Sequence, residues 1–245
     1  MTALPGTTGR RRLYLMRHGH VDYFSEDVRA GKMGLTDVPL TPLGQEQARA
    51  AGFALAGVQF DRLICSGLPR TVQTAEIVRG LQQRAAPDLE VRSNFREIGS
   101  GRPVGINSRA QLAALMAFHF ETAAKPGARM MEEGEFFSSA YERASAEAES
   151  LLAEPGWHTA LIVAHEGINR ILLGWATGND LNAIQAFEQD VACINILDVD
   201  MVPAEGGGVG TAIERKMIKA VNITPYNYTK HGMNLTSLES IFEED

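Results

Sequence analysis

Apolar positions along this chain change period several times, and each change marks an element. Leu13 to Met16 is a short unbroken apolar run behind three arginines, and it gives way to Arg17-His18-Gly19. That pattern reads as a buried strand entering a loop. From His20 to Leu40 no period is sustained, and Gly31, Gly34 and Pro39 mark a long loop of the kind that often carries function. Thr41-Pro42 supplies a helix N-cap and a proline for the first helical position, which predicts a helix through about Ala56. Phe60 to Cys65 is a second short strand, and Arg70 to about Arg84 the next helix, with a weakly strand-like stretch from Pro87 to Val91.

The middle of the chain is less regular. Phe95 to Gly105 is rich in glycine, Ser108 is placed to cap a helix through Phe120, and Lys125 to Gly134 reads as loop. Helical spacing returns from Glu135 to about Ala153, where Phe137, Ala140, Tyr141, Ala144, Ala148, Leu151 and Leu152 share a face. Thr159 to Ala164 is the cleanest buried strand. It runs into His165-Glu166-Gly167 and a helix whose inner face is Ile168, Ile171, Leu172 and Trp175, with Gly178 as its end. Two β-prone runs, Val191 to Asp198 and Ala212 to Ile223, flank Gly206-Gly207-Gly208 and predict an antiparallel hairpin at the sheet edge. Strands alternating with helices predict an α/β fold with a mostly parallel central sheet, flanked by helices on both faces. A single domain over residues 1–245 is expected, with its core at about 11–223 and a polar tail at 224–245.

Composition narrows the function. With 44% hydrophobic and 22% charged residues, a chain of 245 residues is expected to bury a sizeable core. The net charge of −7 argues against a sequence-independent nucleic-acid binder, so any affinity for phosphate must be local. Only Cys65 and Cys193 are present, too few for a disulfide framework, and no run approaches a membrane span. A cytoplasmic enzyme is the expectation, with no membrane or nucleic-acid partner; a homodimer is the commonest assembly for such a chain.

Three strand ends carry basic residues: Arg17-His18, then Arg70 in the segment after the second strand, then His165. In an open parallel sheet, ligands bind outside the carboxyl ends of the strands, so these side chains should converge. Arginine's planar fork donates two parallel hydrogen bonds to a phosphate dianion, and a neutral imidazole is able to attack phosphorus and hold the phosphoryl group on nitrogen. Cys65 and Arg70 are separated by four residues, one fewer than the thiolate phosphatases place between their cysteine and arginine, which excludes that chemistry.

These residues also carry a resemblance. Leu15-Met16-Arg17-His18-Gly19 resembles the signature of the histidine phosphatase superfamily, the phosphoglycerate mutase-like family. Asp37-Val38-Pro39-Leu40-Thr41 with Gly44 is similar to its next block, and Ser66 to Ala75 to its second arginine block. Glu97 with Gly101 and Gly105 repeats its spacing around the acid, Gly134-Glu135 with Arg143 its long helix, and Leu161 to Leu172 its second histidine motif. Six blocks in order are far more specific than Arg-His-Gly alone. The resemblance implies that His18 is the nucleophile, that Arg17, Arg70 and His165 hold the phosphoryl oxygens, and that Glu97 is the proton donor. It implies no metal and no cofactor, a small-molecule phosphate ester as substrate, and a cap over the pocket built from the glycine-rich segment and the middle helices.

Three positions depart from the family pattern. His20-Val21-Asp22-Tyr23-Phe24 stands where a polar phosphate ligand is common, Pro103 where an aromatic residue is usual, and Glu166 where many members have glycine. Glu166 is either a rival proton donor or a residue that orients a neighbour. Asp22 and His20 are expected to be solvated loop residues. Arg92, Arg96, Arg102 and Arg109 surround the acid loop and either extend the pocket or form a solvated basic face. Two other activities fit the same residues: a mutase of this family, although no long insertion of the mutase kind follows Glu97, and a metal hydrolase using His18, His20 and Asp22. A catalytically idle binding module is a third reading.

Overall fold

The computed structural model describes residues 5–101, 111, 114, 118–206 and 208–231. Among them a six-stranded sheet forms in the order β3-β2-β4-β1-β5-β6. The strands are β1 (Arg10–Arg17), β2 (Arg62–Cys65), β3 (Leu89–Val91), β4 (Thr159–Ala164), β5 (Ile194–Pro203) and β6 (Val209–Ile223). The four strands from β3 to β1 pair in parallel, whereas β5 and β6 run antiparallel to their neighbours. The helices are α1 (Glu26–Arg29), α2 (Pro42–Leu55), α3 (Pro69–Gly80), α4 (Phe137–Ala153) and α5 (Glu166–Thr177). The expected class, a mostly parallel sheet with helices on both faces and an antiparallel C-terminal hairpin, is the one observed.

Strand alternation explains the two-sided core. Leu13 and Leu15 of β1 with Ala160 and Ile162 of β4 pack against Ala140, Ala144 and Leu151 of α4 and Ile168, Ile171 and Leu172 of α5. Tyr14 and Met16, with Leu161 and Val163, turn to the other face and meet Ala51 and Leu55 of α2 and Ala75 and Val78 of α3. Burial on both faces is why β1 and β4 read as unbroken apolar runs.

Several boundaries differ from the expectation for local reasons. β2 begins at Arg62, because the Asp61 carboxylate instead accepts from the His158 and Thr159 backbone N–H groups at 2.7 and 2.9 Å. α3 stops at Gly80, four residues early: Gln83 donates its N–H to the Ala56 carbonyl at the end of α2. α4 starts at Phe137, since Glu135 is tied to Gly99 and Arg143. β5 starts at Ile194 and not at Val191, because Ala192 takes a left-handed backbone (φ 52°) and donates its N–H to the His18 carbonyl. It also runs on past Asp198. Arg12 meets Asp198 in a bidentate pair at 2.6 and 2.8 Å, and Asp200 accepts from both Arg10 and Arg215, which makes two buried aspartates tolerable mid-sheet. A four-residue helix, α1, stands inside the long loop after β1. Most of the helix expected from Ser108 lies outside the described residues, and its expected end falls in a 3-10 turn, His119–Thr122; Pro103 and the tail beyond residue 231 also lie outside them.

Two glycines let the loop after β1 lie directly on the start of α2, whose N-cap Thr41 accepts from the Gly44 N–H at 3.1 Å. A Cβ on Gly19 would stand 2.2 Å from the Gly44 carbonyl oxygen, and one on Gly44 would stand 2.1 Å from that of His20. Gly44→Ala is therefore expected to cost about 1–3 kcal/mol of stability, as overpacking does. Urea denaturation checks it: the midpoint should fall at constant slope, and an unchanged midpoint would show that loop and helix do not meet this closely.

Candidate active site

The parallel registers set the ends of three strands level. Arg17 pairs with Ala164 and Cys65 with Val163, so His18, Ser66 and His165 are each the first residue beyond a strand at the same edge. The His18 N–H donates to the Ala164 carbonyl at 3.2 Å, and the His18 and His165 rings lie 5.2 Å apart, centroid to centroid, at 67°. Arg70, on the first turn of α3, and Arg17 at the end of β1 complete the group, and all four side chains are buried.

Each imidazole is held by a partner that limits where its proton sits. Nδ1 of His18 is 2.7 Å from the Gly19 carbonyl oxygen, which can only accept, so Nδ1 carries the proton and Nε2 keeps its lone pair. Nε2 of His165 is 2.8 Å from Ser66 Oγ, itself 3.0 Å from Thr71 Oγ1, whose hydroxyl donates to the Leu68 carbonyl at 2.8 Å. Running that chain back from the carbonyl makes Ser66 a donor to Thr71 and an acceptor from His165 Nε2–H. Burial first, then the charges of Arg70 and Arg17, hold His18 well below the ordinary imidazole value. Burial, the facing His18 and the same two arginines do so for His165.

Arg17 is braced on two sides. Its Nη1 donates to the Gln189 carbonyl at 2.5 Å and its Nη2 lies 3.2 Å from Glu166 Oε2. Burial works against its charge, but Glu166 and other nearby groups more than offset that, leaving the guanidinium above its ordinary value. Arg70 donates from Nη1 to the Leu35 and Thr36 carbonyls at 3.4 and 3.3 Å, and its guanidinium carbon lies 5.8 Å from the centre of the Tyr23 ring. Three buried nitrogens of the group, Arg17 Nε, Arg70 Nε and His165 Nδ1, meet no hydrogen-bond partner. Buried polar nitrogens are otherwise paired almost without exception, and two guanidinium donors beside an imidazole nitrogen able to take up a proton fit a tetrahedral oxyanion.

Glu97 reaches the group from the loop before α4. Its carboxylate accepts from the Ile98 N–H at 2.9 Å and the Gly167 N–H at 3.3 Å. A Cβ on Gly167 would stand 2.7 Å from Ile98 Cδ1 and 2.8 Å from Glu97 Oε1, so any larger residue would push the Glu97 side chain aside. Arg143 clamps the loop from α4, donating to the Glu97 and Asn94 carbonyls while pairing with Glu135. Enclosure raises the Glu97 carboxyl above its ordinary value and Glu166 adds to the rise, while the two N–H groups oppose it.

The other candidates sort themselves by contact. Glu166 pairs with Arg17 and Arg170 and so orients neighbours. His20 Nδ1 lies 2.8 Å from Thr41 Oγ1 and Asp22 accepts from the Phe24 N–H, so with His18 bonded to Gly19 the three proposed metal ligands each have a separate partner. Among the described residues no group of three or more His, Cys, Asp or Glu side chains is arranged to hold a metal. Arg92 pairs with Glu147 and Glu154, tying the acid loop to α4 and adding no charge to the pocket, and Arg96 is exposed. Arg102 and Arg109 lie outside the described residues. Sequence reasoning assigned no role to Ser66, Thr71, Gln189 or Tyr23. Ser66 and Thr71 stood within a recognised block, but nothing local marks Gln189, which enters through a backbone carbonyl.

A buried oxyanion site at the carboxyl edge of an α/β sheet, with a bare imidazole nitrogen beside two arginines, defines a phosphoryl-handling class of protein. The profile of the histidine phosphatase superfamily (branch 1) matches residues 13–202, and the chain belongs to that family. It is 26% identical, over 77% of its length and 90% of the relative's, to an adenosylcobalamin/alpha-ribazole phosphatase of Escherichia coli. It is 28% identical to a probable phosphoglycerate mutase of Salmonella arizonae over 63% of this chain and 69% of that one. The solved mycobacterial glucosyl-3-phosphoglycerate phosphatase superposes with a TM-score of 0.64 at 25% identity, covering 86% of this chain and 98% of that one.

The neutral histidines predict a pH signature. The unfolded chain protonates each imidazole below about 6.5, while the folded chain resists until well below that value, so stability is complete above 6.5 and falls as pH falls. The expected slope is about 1.4 kcal/mol per pH unit for each histidine. Glu97 runs the other way: its raised value stabilises below the ordinary carboxyl range, and that contribution is lost as pH rises through the folded value. Denaturation at pH 7.5, 6.5 and 5.5 should show the wild type weakening with acid and His165→Gln weakening less. Parallel profiles would mean that His165 titrates normally.

Proposed function

We propose that this chain hydrolyses phosphate monoesters of small organic molecules through a phosphohistidine on His18. The observation that carries the reading is the meeting of His18 Nε2 with three partnerless buried nitrogens of Arg17, Arg70 and His165 at one strand edge. Nε2 attacks phosphorus in line, the ester P–O bond breaks, and Glu97 gives its proton to the departing oxygen. Water then attacks the phosphoryl group, Glu97 takes a proton from that water, the N–P bond breaks, and phosphate leaves with His18 restored. Arg17 and Arg70 stabilise charge on the equatorial oxygens throughout, so the reaction requires no metal. With Nε2–H committed to Ser66, His165 binds a dianion by taking up a second proton at Nδ1.

Cytoplasmic location and a homodimer belong to the same reading. No described helix is long and apolar enough to cross a membrane, and sedimentation reads the assembly state.

A panel of phosphomonoesters assayed with chelator present tests the proposal. His18→Ala should lower turnover by at least about a hundredfold, the scale for losing one catalytic group. Equal release by both proteins would remove His18 from the mechanism. Glu97→Gln should slow alkyl phosphates far more than p-nitrophenyl phosphate, whose leaving group hardly needs a proton; equal losses would take the acid role from Glu97. The likeness to a phosphoglycerate mutase favours a second reading, transfer back to another hydroxyl. Incubation with a phosphoglycerate separates the two, since hydrolysis yields free phosphate and a mutase yields the isomer.

A further inference from the structure

Glu166 puts a carboxylate against one of the two arginines offered to the anion, a placement that works against phosphate affinity. It is the first residue of α5, directly after His165, where the helix end favours negative charge. Its Oε2 lies 3.2 Å from Arg17 Nη2, while its Oε1 accepts from Arg170 Nε and Nη2 at 3.1 and 2.8 Å. Arg170 is itself locked: it is buried, donates to the Ile184 carbonyl, pairs with Glu188 at 3.2 Å, and lies 4.5 Å from the centre of the Phe120 ring. Glu166 is thus fixed from behind and has little freedom to swing away when an anion arrives.

The fork of Arg17 is divided by these contacts. Nη1 serves the Gln189 carbonyl, Nη2 faces Glu166, and Nε is the donor left without a partner. A phosphoryl oxygen that binds at Nε therefore shares its guanidinium with a permanent carboxylate. Like charges in a low-dielectric pocket repel over several ångströms.

We propose that Glu166 is a fixed anionic counterweight that positions Arg17 and weakens the pocket's hold on inorganic phosphate, so that the last product leaves readily. The proposal rests on the phosphatase reading above and concerns the release step of the same site. Substrate carries one ester oxygen and further contacts outside the phosphoryl pocket, whereas inorganic phosphate has the phosphoryl pocket alone. The counterweight consequently falls hardest on the product.

Calorimetric titration of wild type and E166Q with inorganic phosphate and with orthovanadate tests this, alongside product inhibition during hydrolysis. E166Q removes the charge while keeping a side-chain oxygen for one of the two arginines, and should bind both anions at least tenfold more tightly, with kcat reduced because release slows. A merely structural role would not produce tighter binding, since damage to the pocket weakens it. Should E166Q fail to fold by circular dichroism, E166G carries the same expectation. Unchanged or weaker phosphate binding in the variant that folds would overturn the counterweight while leaving hydrolysis by wild type intact. A wild type that neither binds phosphate nor releases it from any ester would overturn both readings.

Discussion

The burial of four basic groups side by side is the constraint around which this protein is organised. Two guanidiniums and two imidazoles share one buried edge of the sheet, and they cannot all be charged there. Burial first, and then the charges of the two arginines, leave the imidazoles neutral. Enclosure and crowding together thereby yield both properties that phosphoryl transfer needs: fixed positive charge, and an imidazole nitrogen that keeps its lone pair.

Such crowding survives because rigid parts surround it. Backbone carbonyls of Gly19, Gln189, Leu35 and Thr36 hold three of the four side chains, and a carbonyl cannot lose its dipole to a change of pH. The Ser66-Thr71-Leu68 relay does the same for the fourth. Behind the 188–195 segment a second buried network joins Gln189 to Asn195 and Asn195 to the Leu15 carbonyl, which couples the brace on Arg17 to β1 itself. Glu97 is supported separately, by Arg143 of α4 and its partner Glu135. His18 and Glu97 thus rest on different elements.

Much of this was legible in the residues, and the rest had physical reasons for being hidden. The strand-to-basic-residue transitions at Arg17-His18 and Ala164-His165 are visible because buried parallel strands leave long apolar runs with abrupt polar ends. The carboxylates were less transparent. Glu97 and Glu166 have the same side chain, each next to a basic residue and close to a glycine, and only distances separate the carboxyl enclosed by two N–H groups from the one paired with two arginines. Asp198 and Asp200 hid the true length of β5, because pairing with Arg10 and Arg12 depends on a register between residues some 190 positions apart. Gln189 was invisible in principle, since a backbone carbonyl has no residue-type signature.

The position of β1 also has a bearing on how the molecule is made. It is the first strand in the chain, yet its two neighbours are β4 and β5, the fourth and fifth. A ribosome must therefore release most of the polypeptide before the strand bearing Arg17 has either partner, and until then the apolar run Leu13–Met16 has exposed edges. Pairings this distant fold slowly and invite association with other nascent chains. The arginines at 10, 11 and 12 place three like charges at the start of that segment, where they discourage such association during synthesis.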